Sequence, residues 1–212
     1  MEKTACAAYR PCRARARLPE VLKSWNGRTF NSAAMGRELG VSRPTVVAYM
    51  DALARVKLVR LLPFHEEKRR PVLYLCSSSS GACIESIVDN LSRAVPKSSF
   101  YWWKTGRVRQ IDLVADLGTE RIGFNFLETP MTRRRDWLPL EIAFKRGVIQ
   151  RGFLLYAGTR AFVVGRIVQA LPLHSFIRDP GTWILRRRTL GDAEDLRLRI
   201  NLESLARAAG HR

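Results

Sequence analysis

Apolar residues in the first part of the chain recur at helical spacing. Four of them lie three or four positions apart and therefore share one face of a predicted helix: Leu18, Val21, Leu22 and Trp25. Pro19 suits the first turn of this helix, where a missing N–H costs nothing. Asn26 and Gly27 are typical of a helix end.

Two further short helices are predicted next, joined by a tight turn. Ser32 is a suitable N-cap for a helix over residues 33–39, and Gly40 is able to adopt the positive φ of a turn. Ser42 is a suitable cap for the second helix, whose apolar residues share one face: Val46, Met50 and Leu53. This order is typical of a helix-turn-helix, in which small Ala34 is expected at the close approach of the helices.

Two strand patterns follow the helix-turn-helix. Residues 58–62 and 71–75 are mostly apolar and rich in Val and Leu, and the stretch between them, residues 65–70, is polar. A polar loop between two strands after a helix-turn-helix predicts a wing. We therefore expect a winged helix-turn-helix domain over residues 18–75.

The second half mixes helix and strand patterns. Helices are predicted over residues 81–92 and over residues 136–146, the latter with Trp137, Leu140 and Phe144 facing inward. Strands are predicted at residues 100–103, 108–115, 121–127, 153–156 and 161–168. The fold class is therefore α/β (α+β): a mixed sheet flanked by helices, over residues 81–177. Residues 178–212 form an extension, in which residues 195–209 are patterned as an amphipathic helix.

The net charge of the chain indicates the kind of partner that it binds. The chain has 37 Lys and Arg against 19 Asp and Glu, a net charge of +18. Such an excess favours a polyanion, because neutralised phosphates release their condensed counterions. Arginine or lysine clusters occur at residues 13–17, 68–70, 133–135 and 186–188. The alternatives are a solvated surface or a face that binds an acidic protein.

Composition restricts the class of protein. Hydrophobic residues make up 46% of the chain, enough for a core, and no apolar run reaches membrane-spanning length. The first residues lack the apolar stretch of a signal peptide, so we expect a cytoplasmic protein. The four cysteines lack zinc-site spacing and are expected to be reduced thiols: Cys6, Cys12, Cys76 and Cys83.

The predicted recognition helix and wing supply the candidate DNA contacts. The second helix of a helix-turn-helix enters the major groove. The candidates are its early exposed positions, one arginine of the preceding helix, and the basic residues of the wing: Arg37, Arg43, Thr45, Tyr49, Lys68, Arg69 and Arg70. The five basic residues of this set predict a log–log salt slope near −4.5, at about −0.9 per phosphate. A winged helix that packs against protein is the alternative.

Two carboxylates are candidates for a metal site. Asp112 interrupts the apolar run of a predicted strand and needs a partner or a metal there. Glu85 lies in the middle of the preceding predicted helix. Together they would hold Mg²⁺ through oxygen ligands. Alternatively, Glu85 lies at the surface and Asp112 makes an ordinary hydrogen bond.

The order of these pieces resembles the C-terminal region of a bacterial and archaeal AAA-type ATPase family. The matching stretches are "RELGVSRPTVVAYMDAL", "LLPFHEEKRRPVLYL", "GACIESIVDNL", "FYWWKTGRVRQIDLVAD", "ERIGFNF" and "LPLHSFI", within about residues 18–177. In that family a P-loop ATPase domain precedes a winged helix and then an uncharacterised domain resembling the PD-(D/E)xK nuclease fold.

The sequence departs from this family in its functional motifs. No G-x-x-x-x-G-K-[ST] occurs, so the phosphate-binding loop of the ATPase is missing and no ATP binding is expected. The family pattern ends its third strand as apolar-x-Glu-x-Lys, in which the Glu binds metal and the Lys steadies the attacked phosphate. Asn125 and Leu127 are the matching residues here, and Leu127 is unable to stabilise charge. Replacement groups would be Lys104, Lys145 and Glu141.

Three functions are consistent with the sequence. The first is a non-catalytic DNA-binding or assembly module without a cofactor, in which Glu85, Asp112 and Asn125 are vestigial. The second is a Mg²⁺-dependent nuclease with a rearranged site. The third is a protein-docking remnant of an ATPase, which an exposed apolar patch near the N-terminal helix would favour.

Overall fold

A helix-turn-helix followed by a small sheet forms the first part of the structure. The computed structural model describes residues 5–65, 69–105, 109–165, 167–178 and 180–185. Its N-terminal unit comprises α1 (Ala5–Trp25), β1 (Arg28–Thr29), α2 (Ser32–Leu39), α3 (Arg43–Arg55), β2 (Val59–Leu62) and β3 (Val72–Leu75). The three strands are antiparallel, in the order β1-β3-β2. The helix, turn, helix and strand pair therefore occur in the order the sequence predicts, and β1 is an additional strand.

The helix ends follow from local side chains. Asn31, and not Ser32, is the N-cap of α2, because its side chain accepts from the N–H groups of Ala33 and Ala34. Gly40 ends α2 with a φ of 69°, as predicted. Ser42 caps α3 through the N–H of Thr45, also as predicted.

The first helix is longer than its apolar pattern indicates. It begins at Ala5, so Pro19 lies inside α1 and not in its first turn. The predicted end is confirmed, since Gly27 has a φ of 71°. Together with α2, α3 and the small sheet, α1 encloses a core of buried side chains: Ala14, Val21, Leu22, Phe30, Met35, Leu39, Val46, Met50, Val59 and Leu73.

A six-stranded mixed sheet forms the second part. Its elements are α4 (Ser79–Ala94), β4 (Ser99–Thr105), β5 (Arg109–Asp116), β6 (Arg121–Leu127), α5 (Arg134–Lys145), β7 (Arg151–Tyr156), β8 (Phe162–Val164), β9 (Val168–Pro172), α6 (Leu173–Arg178) and α7 (Pro180–Leu185). The strand order is β4-β5-β6-β7-β9-β8. β6, β7 and β9 are parallel, and the other pairs are antiparallel. The predicted α+β class is confirmed.

Three details of the second half differ from the prediction. The single strand predicted over residues 161–168 is wrong: β8 ends at Val164, Gly165 turns the chain with a φ of 61°, and Val168 begins the antiparallel strand β9. Phe144 is 41% exposed and does not face inward. The helices α6 and α7 were not predicted, and the helix predicted over residues 195–209 lies outside the described residues.

One cluster of buried side chains joins the two units. One face of the large sheet packs against α4, and Leu62, Val72 and Tyr74 of the small sheet belong to the same cluster as Ile84 and Trp102. The other face packs against α5. The N-terminal unit is therefore fixed to the large sheet through buried side chains, and not only through the connecting chain.

No helix in the described ranges is both long enough and apolar enough to cross a membrane. Cys76 and Cys83 are free thiols, and Cys6 and Cys12 fall where side chains are not described.

Candidate functional site

The close contact within the helix-turn-helix occurs at a glycine. A Cβ on Gly36 would lie 2.8 Å from the carbonyl oxygen of Val41 and 3.6 Å from Val46. Gly36 is therefore the residue that allows α2 to approach the turn and α3, and not Ala34 as the sequence suggested. A glycine in the middle of an eight-residue helix was the available signal, since glycine is unfavourable there unless packing requires it.

Two arginines, one on each side of the turn of this motif, are exposed to solvent. Arg43 is the first residue of α3, Arg37 lies in the last turn of α2, and both side chains are exposed. Within the described part of the chain, neither guanidinium makes a hydrogen bond or an ion pair. Both are available to an external anion.

The other two α3 candidates take part in the fold. The Thr45 hydroxyl lies 2.8 Å from the Ser42 hydroxyl, within the N-cap of α3. Tyr49 is partly buried and packs against the core of the N-terminal unit. Thr45 and Tyr49 therefore have structural roles, whereas the side chains of Arg37 and Arg43 have none among the described contacts.

The loop between β2 and β3, here called the wing loop (residues 63–71), is held at its base by aromatic contacts. The Phe64 ring packs edge-on against Trp102 of β4, with centroids 4.7 Å apart, and His65 packs in the same way on Tyr101. The Arg69 guanidinium lies over the Phe64 ring at 4.8 Å. Arg69 and Arg70 are exposed, whereas Lys68 lies outside the described residues.

Asp112 lies at an irregularity in the large sheet. Tyr101 is opposite Val114, and Trp103 is opposite Ile111. Two residues of β5, Asp112 and Leu113, therefore lie opposite the single residue Trp102 of β4. This is a β-bulge, which redirects a side chain out of the normal alternation. The bulge brings the Asp112 carboxylate towards the small sheet.

The Asp112 carboxylate is satisfied by the protein itself. Oδ2 accepts the Phe126 N–H at 3.1 Å, and Oδ1 lies 3.4 Å from both the Tyr74 hydroxyl and Gln110 Nε2, which donate to it. Burial raises the pKa of Asp112 to about 6, although these hydrogen bonds oppose the shift. Burial, followed by the nearby Asp112 charge, also raises the pKa of Tyr74.

Asn125 is buried and faces the opposite helix layer. Its Oδ1 accepts the Asp112 N–H at 3.3 Å, and its Nδ2 donates to the carbonyl of Asp136 at the start of α5 at 3.2 Å. The Asp112 side chain instead reaches Tyr74 on the N-terminal unit. Asn125 and Asp112 therefore link four elements, β3, β5, β6 and α5, and Leu127 packs in the apolar cluster beneath α5.

Glu85 is paired with an arginine of the small sheet. Arg60 of β2 donates from Nε to Oε1 and from Nη2 to Oε2, the latter at 2.9 Å, in a bidentate ion pair. The Cys76 thiol also donates to Oε1. Burial, and then the neighbouring Glu85 carboxylate, raises the pKa of Cys76 to about 11. Glu85 thus joins α4 to β2 and makes no contact of its own with Asp112.

These residues do not fit a Mg²⁺ site. Both oxygens of Glu85 are occupied by Arg60, and both oxygens of Asp112 accept hydrogen bonds. No group of three or more His, Cys, Asp or Glu that could hold a metal occurs in the described ranges. Of the three proposed replacements, Glu141 lies beside Gly165 at the β8–β9 turn, Lys145 is exposed, and Lys104 is partly buried in β4.

Sequence reasoning missed the partners of both carboxylates. Arg60 is 25 residues from Glu85, and Tyr74 is 38 residues from Asp112. Each partner lies within an apolar strand pattern, where a lone arginine or tyrosine was the only available signal.

The fold defines an α+β protein in which a helix-turn-helix unit is fused to a six-stranded mixed sheet. The chain is similar to uncharacterised proteins of Mycobacterium bovis and Mycobacterium tuberculosis, with 24% identity to each over 183 residues. The similarity covers 72% of this chain and 40% of each relative, so the chain spans less than half the length of the curated relatives it matches. No protein-family model and no solved structure matches it.

Proposed function

We propose that this chain is a non-catalytic DNA-binding module, related to the C-terminal part of AAA-type ATPases. The observation that carries the proposal is the pair of exposed arginines, Arg37 and Arg43, beside the start of α3. Side chains near the N-terminus of the second helix of a helix-turn-helix contact base edges or phosphates. Arg43 is the first residue of α3 and is exposed, which supports such a contact.

The wing loop supplies a second contact in this proposal. Arg69 is stacked on Phe64, which is itself packed on Trp102. These contacts restrict the conformations of the guanidinium before it binds. An ordered arginine loses less side-chain entropy on binding a phosphate than a free one. Arg70, next along the chain, is exposed and adds charge.

The candidate carboxylates of this chain are poorly suited to metal-dependent catalysis, because they are engaged in other contacts. A metal-dependent nuclease requires carboxylates available to the metal and a cation near the attacked phosphate. Asp112 and Glu85 are both committed to contacts between the two units, and Leu127 is apolar. These positions support a structural role that fixes the helix-turn-helix to the large sheet.

An assembly role is the second candidate, supported by a different observation. Val56 and Leu58, in the turn after α3, are 64% and 54% exposed. Neighbouring apolar side chains at the surface favour protein contact. No described side chain of α1 is among the large exposed apolar residues, so this surface lies at α3 and not at the N-terminal helix.

A binding titration tests the proposal. A fluorescent duplex of about two helical turns is titrated at a series of salt concentrations, with anisotropy as the readout. The proposal expects a log–log salt slope of about −4.5 or steeper, from five or more phosphate contacts at about −0.9 each. A flat slope, or no binding at low salt, would contradict it.

A further inference from the structure

The carboxyl ends of four strands meet at one edge of the large sheet. β4 and β6 are both antiparallel to β5, and β6, β7 and β9 are parallel, so β4, β6, β7 and β9 run in the same direction. We call the edge at which they end the carboxyl edge. In open sheets with parallel strands, ligands bind outside this edge.

Basic side chains collect at the carboxyl edge. They lie at the end of β4, in the connection from β6 into α5, and after β7: Lys104, Arg133, Arg134, Arg135 and Arg160. Lys104 is partly buried, and the four arginines are exposed. Among the described acidic residues near them, Asp112 and Asp136 accept backbone N–H bonds, which leaves Glu128 as the exposed counter-charge.

The arginines of this edge are not used by the fold. The contact from Arg135 Nε to Asp136 is long, at 3.7 Å, and the Arg135 side chain is 75% exposed. In the described part of the chain, the side chains of Arg133, Arg134 and Arg160 form no ion pair. At the opposite edge, Arg121 donates to a backbone carbonyl and Arg151 holds Glu120, whereas Arg146 is exposed.

The placement of three arginines at the start of α5 works against the helix. Positive charge at a helix N-terminus opposes the macrodipole. Asp136, in the first turn of α5, accepts the Arg133 N–H at 2.6 Å and offsets only part of this charge, since three arginines face one carboxylate. An external anion would relieve the repulsion, and the guanidinium groups, not the helix end, would hold it.

We propose that the carboxyl edge is a second contact surface for the phosphate backbone of duplex DNA, separate from α3 and the wing loop. That the polyanion is DNA rests on the proposed function. The position of the surface rests on the basic side chains of the carboxyl edge. Binding of single strands normally adds aromatic stacking. No Trp, Tyr or Phe at this edge is exposed among the described side chains, so a duplex fits better.

The test compares duplex binding by two double variants of α5, one at each end of the helix. R134Q/R135Q removes two charges from the carboxyl edge, and K145Q/R146Q removes two exposed charges from the other end of α5. With the same duplex, R134Q/R135Q should reduce the magnitude of the salt slope by about 1.8, and K145Q/R146Q should leave it unchanged. The charge-conserving R134K/R135K should retain the wild-type slope. Thermal melts followed by circular dichroism establish that each variant is folded.

Three other outcomes of these titrations would contradict the proposal or the argument for it. Equal losses for the two glutamine pairs would overturn the proposal in favour of general attraction to a basic protein. A lost slope in R134K/R135K would overturn the argument from charge. Binding of fluorescent poly-glutamate as tightly as the duplex, weakened equally by R134Q/R135Q, would assign the edge to an acidic protein instead.

The variant R43E separates this proposal from the proposed function. If R43E weakens duplex binding and R134Q/R135Q does not, the helix-turn-helix contact stands and the carboxyl-edge surface is wrong. If R134Q/R135Q changes the slope and R43E has no effect, the edge is the site of DNA binding and the α3 contact is wrong.

Discussion

The Tyr74 hydroxyl of β3 lies 3.4 Å from Oδ1 of Asp112 in β5, to which it donates a hydrogen bond. This contact joins the helix-turn-helix unit to the large sheet at the bulge of β5. A carboxylate that the sequence suggests as a metal ligand therefore serves as a connection between the two units. The consequences for stability are measurable.

Asp112 should make stability depend on pH. Because its pKa is about 6 in the folded chain and about 4 when unfolded, the folded state binds this proton more tightly. Its contribution to stability is complete below about pH 4 and is lost as the pH rises through about 6, by at most about 3 kcal/mol. Asp112→Asn, which does not titrate, should gain stability relative to wild type over this range.

The measurement is urea unfolding of the two proteins at several pH values. Glu128→Gln removes an exposed carboxylate from the same edge of the sheet and is the control, with no pH-dependent difference expected. A constant difference between wild type and Asp112→Asn from pH 4 to pH 7 would refute the argument.

Arg60 and Glu85 should be coupled. Arg60→Met leaves a largely buried carboxylate without its partner and should cost about 2 kcal/mol or more. Adding Glu85→Gln to this variant should recover part of the loss, because the unpaired charge is then gone. Lys57→Met is the matched control, since its pair with Asp89 is exposed and should contribute less than about 1 kcal/mol. Additive losses in the double-mutant cycle would show that the pair is not coupled.

Gly36→Ala should destabilise the protein, against helix propensity. Alanine normally stabilises a helix by about 1 kcal/mol over glycine, but here its Cβ would lie 2.8 Å from the Val41 carbonyl oxygen. The reverse change at an exposed interior site of α3, Ala48→Gly, should cost about 1 kcal/mol by propensity alone. Thermal unfolding checks both, and a stabilised Gly36→Ala would mean that α2 and the turn are not in close contact.

The sequence predicts the parts of this fold that local chemistry determines. Ser42 and Gly40 mark helix ends because a cap or a positive φ depends on one or two residues. The apolar patterns of α3 and β6 likewise determine their types. In contrast, α6 and α7 are six residues each, too short for a clear helical period.

The candidate site was less predictable, because its partners are distant in the chain. Asp112 needed a partner, as its apolar surroundings indicated, but nothing local identified Tyr74. The sequence is consistent with Glu85 either at the surface or as a metal ligand, and in the structure it is the ion-pair partner of Arg60. Pairings of this kind depend on how two units pack, which no local pattern encodes.

The comparison of Arg43 with Arg55 tests the central claim most directly. Both arginines are exposed on α3, Arg43 at its first residue and Arg55 at its last. Binding of a duplex is measured by anisotropy at matched salt for R43E and R55E, after thermal melts establish that both are folded. DNA binding through the start of α3 predicts that R43E loses at least about tenfold in affinity and R55E much less. Equal losses of affinity in the two variants would contradict DNA binding through the start of α3 and favour the assembly role.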